Sequence, residues 1–189
     1  MLFKAKHITL LFIALFCISC NQNDYSPKPR GYLRIDFPEK SYQSLDSTYP
    51  YTFEYPEYGK IKPDNSQKYW MDLYFPEFKG TIHISYKEVD NNLYQYLEDS
   101  RNLAYKHSVK ADAINERLFI NQNKEVFGTL YEIEGNAASS VQFYLTDSSR
   151  HFLRGALYFY TQPNIDSLAP VINFFKKDIN HLIETFQWK

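Results

Sequence analysis

Residues 167–186 read SLAPVINFFKKDINHLIETF. In this stretch Leu168, Ile172, Phe175, Ile179, Leu182, Ile183 and Phe186 recur every three or four positions. That spacing lines them along one stripe of an α-helix, and such a stripe needs an apolar surface to cover it. Ser167 or Asp166 is placed to cap the helix, with Pro170 in its first turn. Most of the remaining chain carries a period of two, so the covering surface is expected to be a sheet. In GYLRIDFP, residues 31–38, Leu33, Ile35 and Phe37 fall on one face and Tyr32, Arg34 and Asp36 on the other, and Pro38 ends the run. PYTFEYP places Tyr51, Phe53 and Tyr55 together, opposite Thr52 and Glu54. KYWMDLYFP and GTIHISYKEV form a hairpin about PEFKG. Its second strand has Ile82, Ile84 and Tyr86 on one face and Thr81, His83, Ser85 and Lys87 on the other. In the first strand Trp70 follows Tyr69, so one of the two is expected to face away from the core. Residues 56–67 are rich in turn formers and are expected to be exposed.

Further strands are expected at INERLFI, KEVFGTLYEIEG, SSVQFYLTD and HFLRGALYFYT, with DSSR as a turn. One helix interrupts the strands. It starts after Asp90 as its cap and carries Leu93, Tyr96, Leu97, Leu103, Ala104 and His107 near one face. The order is therefore strands, helix, strands, helix. Without β-α-β alternation a doubly wound parallel sheet is disfavoured. The expected fold is a single α+β domain over residues 31–189, a mostly antiparallel β-sheet flanked by helices, the longest of them C-terminal.

The first 19 residues have the parts of an export signal. Lys4 and Lys6 are followed by an apolar run from 8 to 18, and Ser19 is a small residue at a cleavage position. The run is about half of the ~20 residues a spanning helix needs. Cys17-Ile-Ser-Cys20 resembles the bacterial lipobox, with Cys17 where leucine is usual. The cut is expected before Cys20, whose lipidation would anchor the mature chain to a membrane; several acyl chains suffice for stable anchoring. Residues 20–30 then form a proline-containing tether. Cys17 leaves with the signal, so no disulfide can form within the mature chain. Removing Lys4 and Lys6 leaves 19 basic against 22 acidic residues, a balance that does not suggest nucleic-acid binding. Asn21 directly after the cysteine favours the outer membrane, and the lack of an acidic run beyond it favours the periplasmic side.

No motif in the sequence carries recognisable chemistry. The histidines lie on separate elements without metal-ligand spacing, so no metal or cofactor is expected. DSSRH, residues 147–151, holds the residue types of a serine triad but reads as a polar turn, and G-x-S-x-G is missing. No catalytic residue is assigned. Aromatic residues make up 18% of the chain, with 17 Tyr, 15 Phe and two Trp. They can serve strand propensity and core filling, or line a surface for a glycan or a protein partner. Arg30, Tyr32, Arg34 and Asp36 follow the tether, the last three on the polar side of the expected strand, and are candidates for a partner-docking surface.

PKPRGYLRIDFPEKSY after a lipobox, then YPYTFEYPEY, then an aromatic C-terminal half ending ETFQW, resembles the gliding motility lipoprotein GldD family of the Bacteroidota over essentially the whole chain. The resemblance implies a component of the envelope machinery for surface motility, tied to type IX secretion, whose partners are other envelope proteins. It implies no enzymatic activity, and lipidated Cys20 is the one position that carries over. A peptidoglycan- or glycan-binding envelope lipoprotein is the alternative. The element order and closing helix are also similar to PsbP- and Mog1-like domains, a likeness of fold alone.

Overall fold

A computed structural model describes residues 35–189. The chain folds into an α+β domain built on a seven-stranded antiparallel sheet, with neighbours in the order β4-β5-β6-β10-β9-β8-β7. These strands are β4 (Lys60–Pro63), β5 (Met71–Phe75), β6 (Gly80–Glu88), β7 (Ala111–Asn121), β8 (Val126–Gly135), β9 (Ser139–Thr146) and β10 (His151–Phe159). Two further pairs are short. β1 (Tyr42–Ser44) pairs with β3 (Glu54–Pro56), and β2 (Tyr51–Thr52) pairs with β11 (Gln187–Trp188).

Alternation along each strand divides the sheet's two faces between two helices. Leu73, Phe75, Ile82, Ile84, Phe143, Leu145, Leu153 and Leu157 join one large core with Phe175, Ile179, Leu182 and Ile183 of α2 (Ile165–Thr185). Burying each such side chain contributes roughly 1.5–3 kcal/mol, so the apolar stripe of α2 and the sheet hold each other. Aromatic rings dominate the junction: Phe75 lies 4.4 Å from Phe175, and Phe186 lies 4.6 Å from Trp188. The opposite face carries α1 (Leu93–Tyr105), which packs on β9 and β10. α1 buries only Ser100 and Ala104. Its second small cluster adds Tyr131, Ile133 and Ala137. The two edges differ. β4 is short and carries Lys60, Lys62 and Pro63, features that discourage strand addition. β7 is 11 residues long and exposes Leu118 at 73% and Ile120 at 65%.

The central hairpin, the four later strands and the C-terminal helix lie where their periodicity places them. Several expectations need correction. Residues 35–37 are not a strand. Ile35 and Phe37 still pack on the core and Asp36 is still exposed, but the segment lies against α2, with Phe37 stacked 4.4 Å from Phe174. Residues 56–67 are not a uniformly exposed turn: they contain β4, and Tyr58 reaches inward to Asp178 of α2. Tyr69 and Trp70 both pack on the core, because Tyr69 adopts φ 65° and breaks the alternation. α2 starts at Ile165, whose N–H donates to Asn136 Oδ1 at 2.9 Å, so neither Ser167 nor Asp166 is its cap. Pro170 consequently falls inside the helix and not in the first turn. α1 starts at Leu93, three residues beyond Asp90, with Asn92 at the N-cap position; the Asp90 N–H itself donates to Asn92 Oδ1 at 2.9 Å. Leu103 is exposed, because small Ser100 and Ala104 form the contact side and bring the helix backbone close to the sheet.

Candidate functional site

α1 covers β9 and β10 but leaves β5 and β6 largely uncovered, and a cleft of about 940 Å³ opens between them. This size lies in the ~300–1,000 Å³ range of small-molecule sites. Its floor is polar because outward-facing positions on three adjacent strands converge there: Asp72 from β5, His83, Ser85 and Lys87 from β6, and Arg154 from β10. The register sets them side by side, with His83 opposite Asp72 and Ser85 opposite Arg154. α1 supplies the wall through Tyr96, Asp99, Leu103 and Tyr105, and Trp70 closes one end.

Two features fix the floor. His83 Nδ1 donates to Asp72 Oδ1 at 2.6 Å, which occupies that carboxylate. Arg154 donates to Oε1 of Gln142, its diagonal neighbour on β9. Among the described residues no carboxylate forms an ion pair with Arg154. Burial lowers its pKa from the usual guanidinium value. Half-buried His107, just beyond α1, is likewise held below the ordinary imidazole range, chiefly by burial and then by the Arg154 charge. Gln142 is 1% exposed, and its Nε2 has no hydrogen-bond partner among the described residues. Two wall rings have partners: Trp70 Nε1 donates to the Tyr86 carbonyl at 2.7 Å, and Lys87 Nζ sits 4.6 Å from the centre of the Tyr96 ring. The cleft therefore offers a fixed cation beside aromatic rings, which is the chemistry of binding.

The other histidines each have their own structural partners. His151 Nδ1 lies 2.7 Å from the Tyr86 hydroxyl, and its ring stacks on Trp188 at 5.1 Å. His181 donates to Glu54 and stacks on Tyr42. Among the described residues no three His, Cys, Asp or Glu side chains gather as a metal site. The DSSRH segment is a turn. Asp147 Oδ1 accepts the backbone N–H groups of Ser149, Arg150 and His151, and Ser148 has φ 68°.

Cys20, Arg30, Tyr32 and Arg34 lie outside the described residues, as do the signal and the tether. Asp36 is exposed at the start of the described chain, on the α2 side of the sheet. The cleft lies on the opposite face and was not foreseen from the sequence. The polar positions of β6 were legible there, but Arg154 and Gln142 sit in strands that read simply as aromatic and apolar, and only the strand order brings them under α1.

These features define a class: a single α+β domain with a seven-stranded antiparallel sheet between two helices, a polar cleft with aromatic residues in its lining on one face, and no cluster of three His, Cys, Asp or Glu side chains among the described residues. The model of the gliding motility lipoprotein GldD family matches residues 22–188, nearly the whole chain, and the protein belongs to that family. No curated protein matches the chain.

Proposed function

We propose that the protein is a non-catalytic component or assembly factor of the gliding motility and type IX secretion machinery. In this reading acyl chains on Cys20 hold it on the periplasmic face of the outer membrane. The observation that carries the reading is the family match, which spans nearly the whole chain. It is a family of motility lipoproteins and not a known enzyme family. Among the described residues no helix is long and apolar enough to cross a membrane, which is consistent with an anchor at Cys20. Arg30, Tyr32, Arg34 and Asp36, directly after the tether, then meet a partner in the envelope. Deleting the gene is expected to abolish spreading on agar and to block export of type IX cargo. A deletion strain that spreads and secretes like its parent contradicts the proposal.

A further inference from the structure

We propose that the cleft between α1 and the sheet binds a carboxylate-bearing saccharide unit, with the Arg154 guanidinium as the anion anchor and the neighbouring rings as the platform. The unusual feature is the arginine. It stands on an inner strand, between Ser85 of β6 and Tyr144 of β9 in register. A cation withdrawn from water is costly unless a counter-charge faces it. The cleft contains three acids that could serve, yet Asp64 accepts from the N–H and hydroxyl of Ser66, Asp72 is engaged by His83 and Asp99 is exposed on the helix. Gln142 instead accepts one N–H of the fork at its amide oxygen, which orients the guanidinium without cancelling its charge and leaves the remaining donors for a ligand. A planar fork of N–H groups matches the two oxygens of a carboxylate. Burial acts in the same sense, since a guanidinium partly removed from water binds an anion more strongly than a solvated one.

The body of the ligand follows from the walls and the strand pairing. β5, β6 and β10 each have a strand partner on both sides. Among the described residues no free strand edge borders the cleft, so a peptide cannot add its backbone there. The groups on offer are side-chain donors and acceptors, with Ser100 and Asn102 on α1, and the rings of Trp70, Tyr96 and Tyr105. Fixed aromatic rings give broad amphipathic contact at low entropic cost, which suits a hydroxylated ring with an apolar face.

The test is calorimetric titration of the full-length protein in detergent with four probes. These are tri-galacturonic acid, N-acetylmuramic acid, neutral galactotriose and a tetrapeptide with a free C-terminal carboxylate. At least one acidic sugar is expected to bind, with galactotriose and the peptide about tenfold weaker or silent. Arg154→Gln is expected to reduce acidic-sugar binding at least about tenfold. Arg154→Met combined with Gln142→Leu removes the unpaired charge and the orphaned amide together. It is expected to abolish binding while raising Tm by about 2–4 °C. Four results would each overturn the proposal: no acidic sugar bound by folded protein, binding of the peptide alone, neutral and acidic sugars bound equally, or binding unchanged in Arg154→Gln. A fall in Tm of the double variant would also overturn it, because the pair would then serve the fold.

Discussion

Replacing Lys40 by methionine is expected to lower the unfolding free energy by about 3 kcal/mol, measured by chemical denaturation. The reason is Asp178, a carboxylate on the core side of α2 whose side chain is 1% exposed. Lys40 Nζ donates to it at 2.7 Å, and the hydroxyls of Tyr58 and Tyr42 donate at 2.6 and 3.0 Å. Lys40 also donates to Tyr58 Oη and to the Phe174 carbonyl, and lies 3.1 Å from the centre of the Phe174 ring. Burial lowers the Lys40 pKa although the carboxylate opposes the shift, and burial with Asp178 pushes the Tyr42 hydroxyl up to about 12. Losing one partner of a buried pair costs about 3–5 kcal/mol because a charge is left uncompensated. The lower end applies because the Lys40 side chain is 24% exposed and two tyrosines still serve the carboxylate. Adding Asp178→Asn should recover most of the loss, since the orphaned charge goes with it. A loss below about 1 kcal/mol in Lys40→Met would show that the network is solvated and does not hold the fold. The network fixes the segment at residue 40 to α2, on the face of the sheet opposite the cleft.

Gly155→Ala is expected to cost a similar amount, about 3 kcal/mol, the upper part of the overpacking range. Gly155 is opposite Phe143 in register, and a Cβ added there would lie 2.3 Å from two atoms of the Phe143 ring. Phe143 is 1% exposed and belongs to the core that the sheet shares with α2. Shrinking the obstacle with Phe143→Leu in the Gly155→Ala background should restore part of the stability, and equilibrium unfolding of the two variants separates these effects. Arg154 is the adjacent residue on the same strand, so the shift that relieves the clash is also expected to misplace the cleft's cation. A Gly155→Ala protein as stable as the parent would mean that β9 and β10 can separate without cost.

The elements that sequence placed well are those whose periodicity was long and whose apolar face had one destination. α2 has six such positions, with Phe186 just past its end, and β6 alternates through Ile82, Ile84 and Tyr86. Most of the failures share a cause: they were decided by a residue distant in the chain. Asn136 caps α2 across 29 positions. Tyr58 looks like a turn residue until Asp178, 120 positions away, accepts its hydroxyl. β11 is two residues long and exists because β2 is there to pair with it. Tyr69 leaves its expected face through a left-handed backbone, a conformation that its aromatic neighbours did not signal. The cleft was hidden for the same reason. Asp72 and His83 lie 11 positions apart, but Arg154 joins them only because β10 inserts beside β6 in the sheet. The DSSRH turn was legible because its partners are local, with Asp147 accepting the backbone N–H groups of Ser149, Arg150 and His151.

The reading as an anchored motility component is tested most directly by complementing a deletion strain with two forms of the protein. One is the native chain. The other is exported behind an ordinary cleavable signal with Cys20→Ser, so that the same domain reaches the periplasm without lipid. Membrane fractionation and colony spreading are then scored together. The account predicts that the native chain fractionates with membranes and restores spreading, while the Cys20→Ser form is soluble and does not restore it. Full spreading by the soluble form, at matched abundance, would contradict the account.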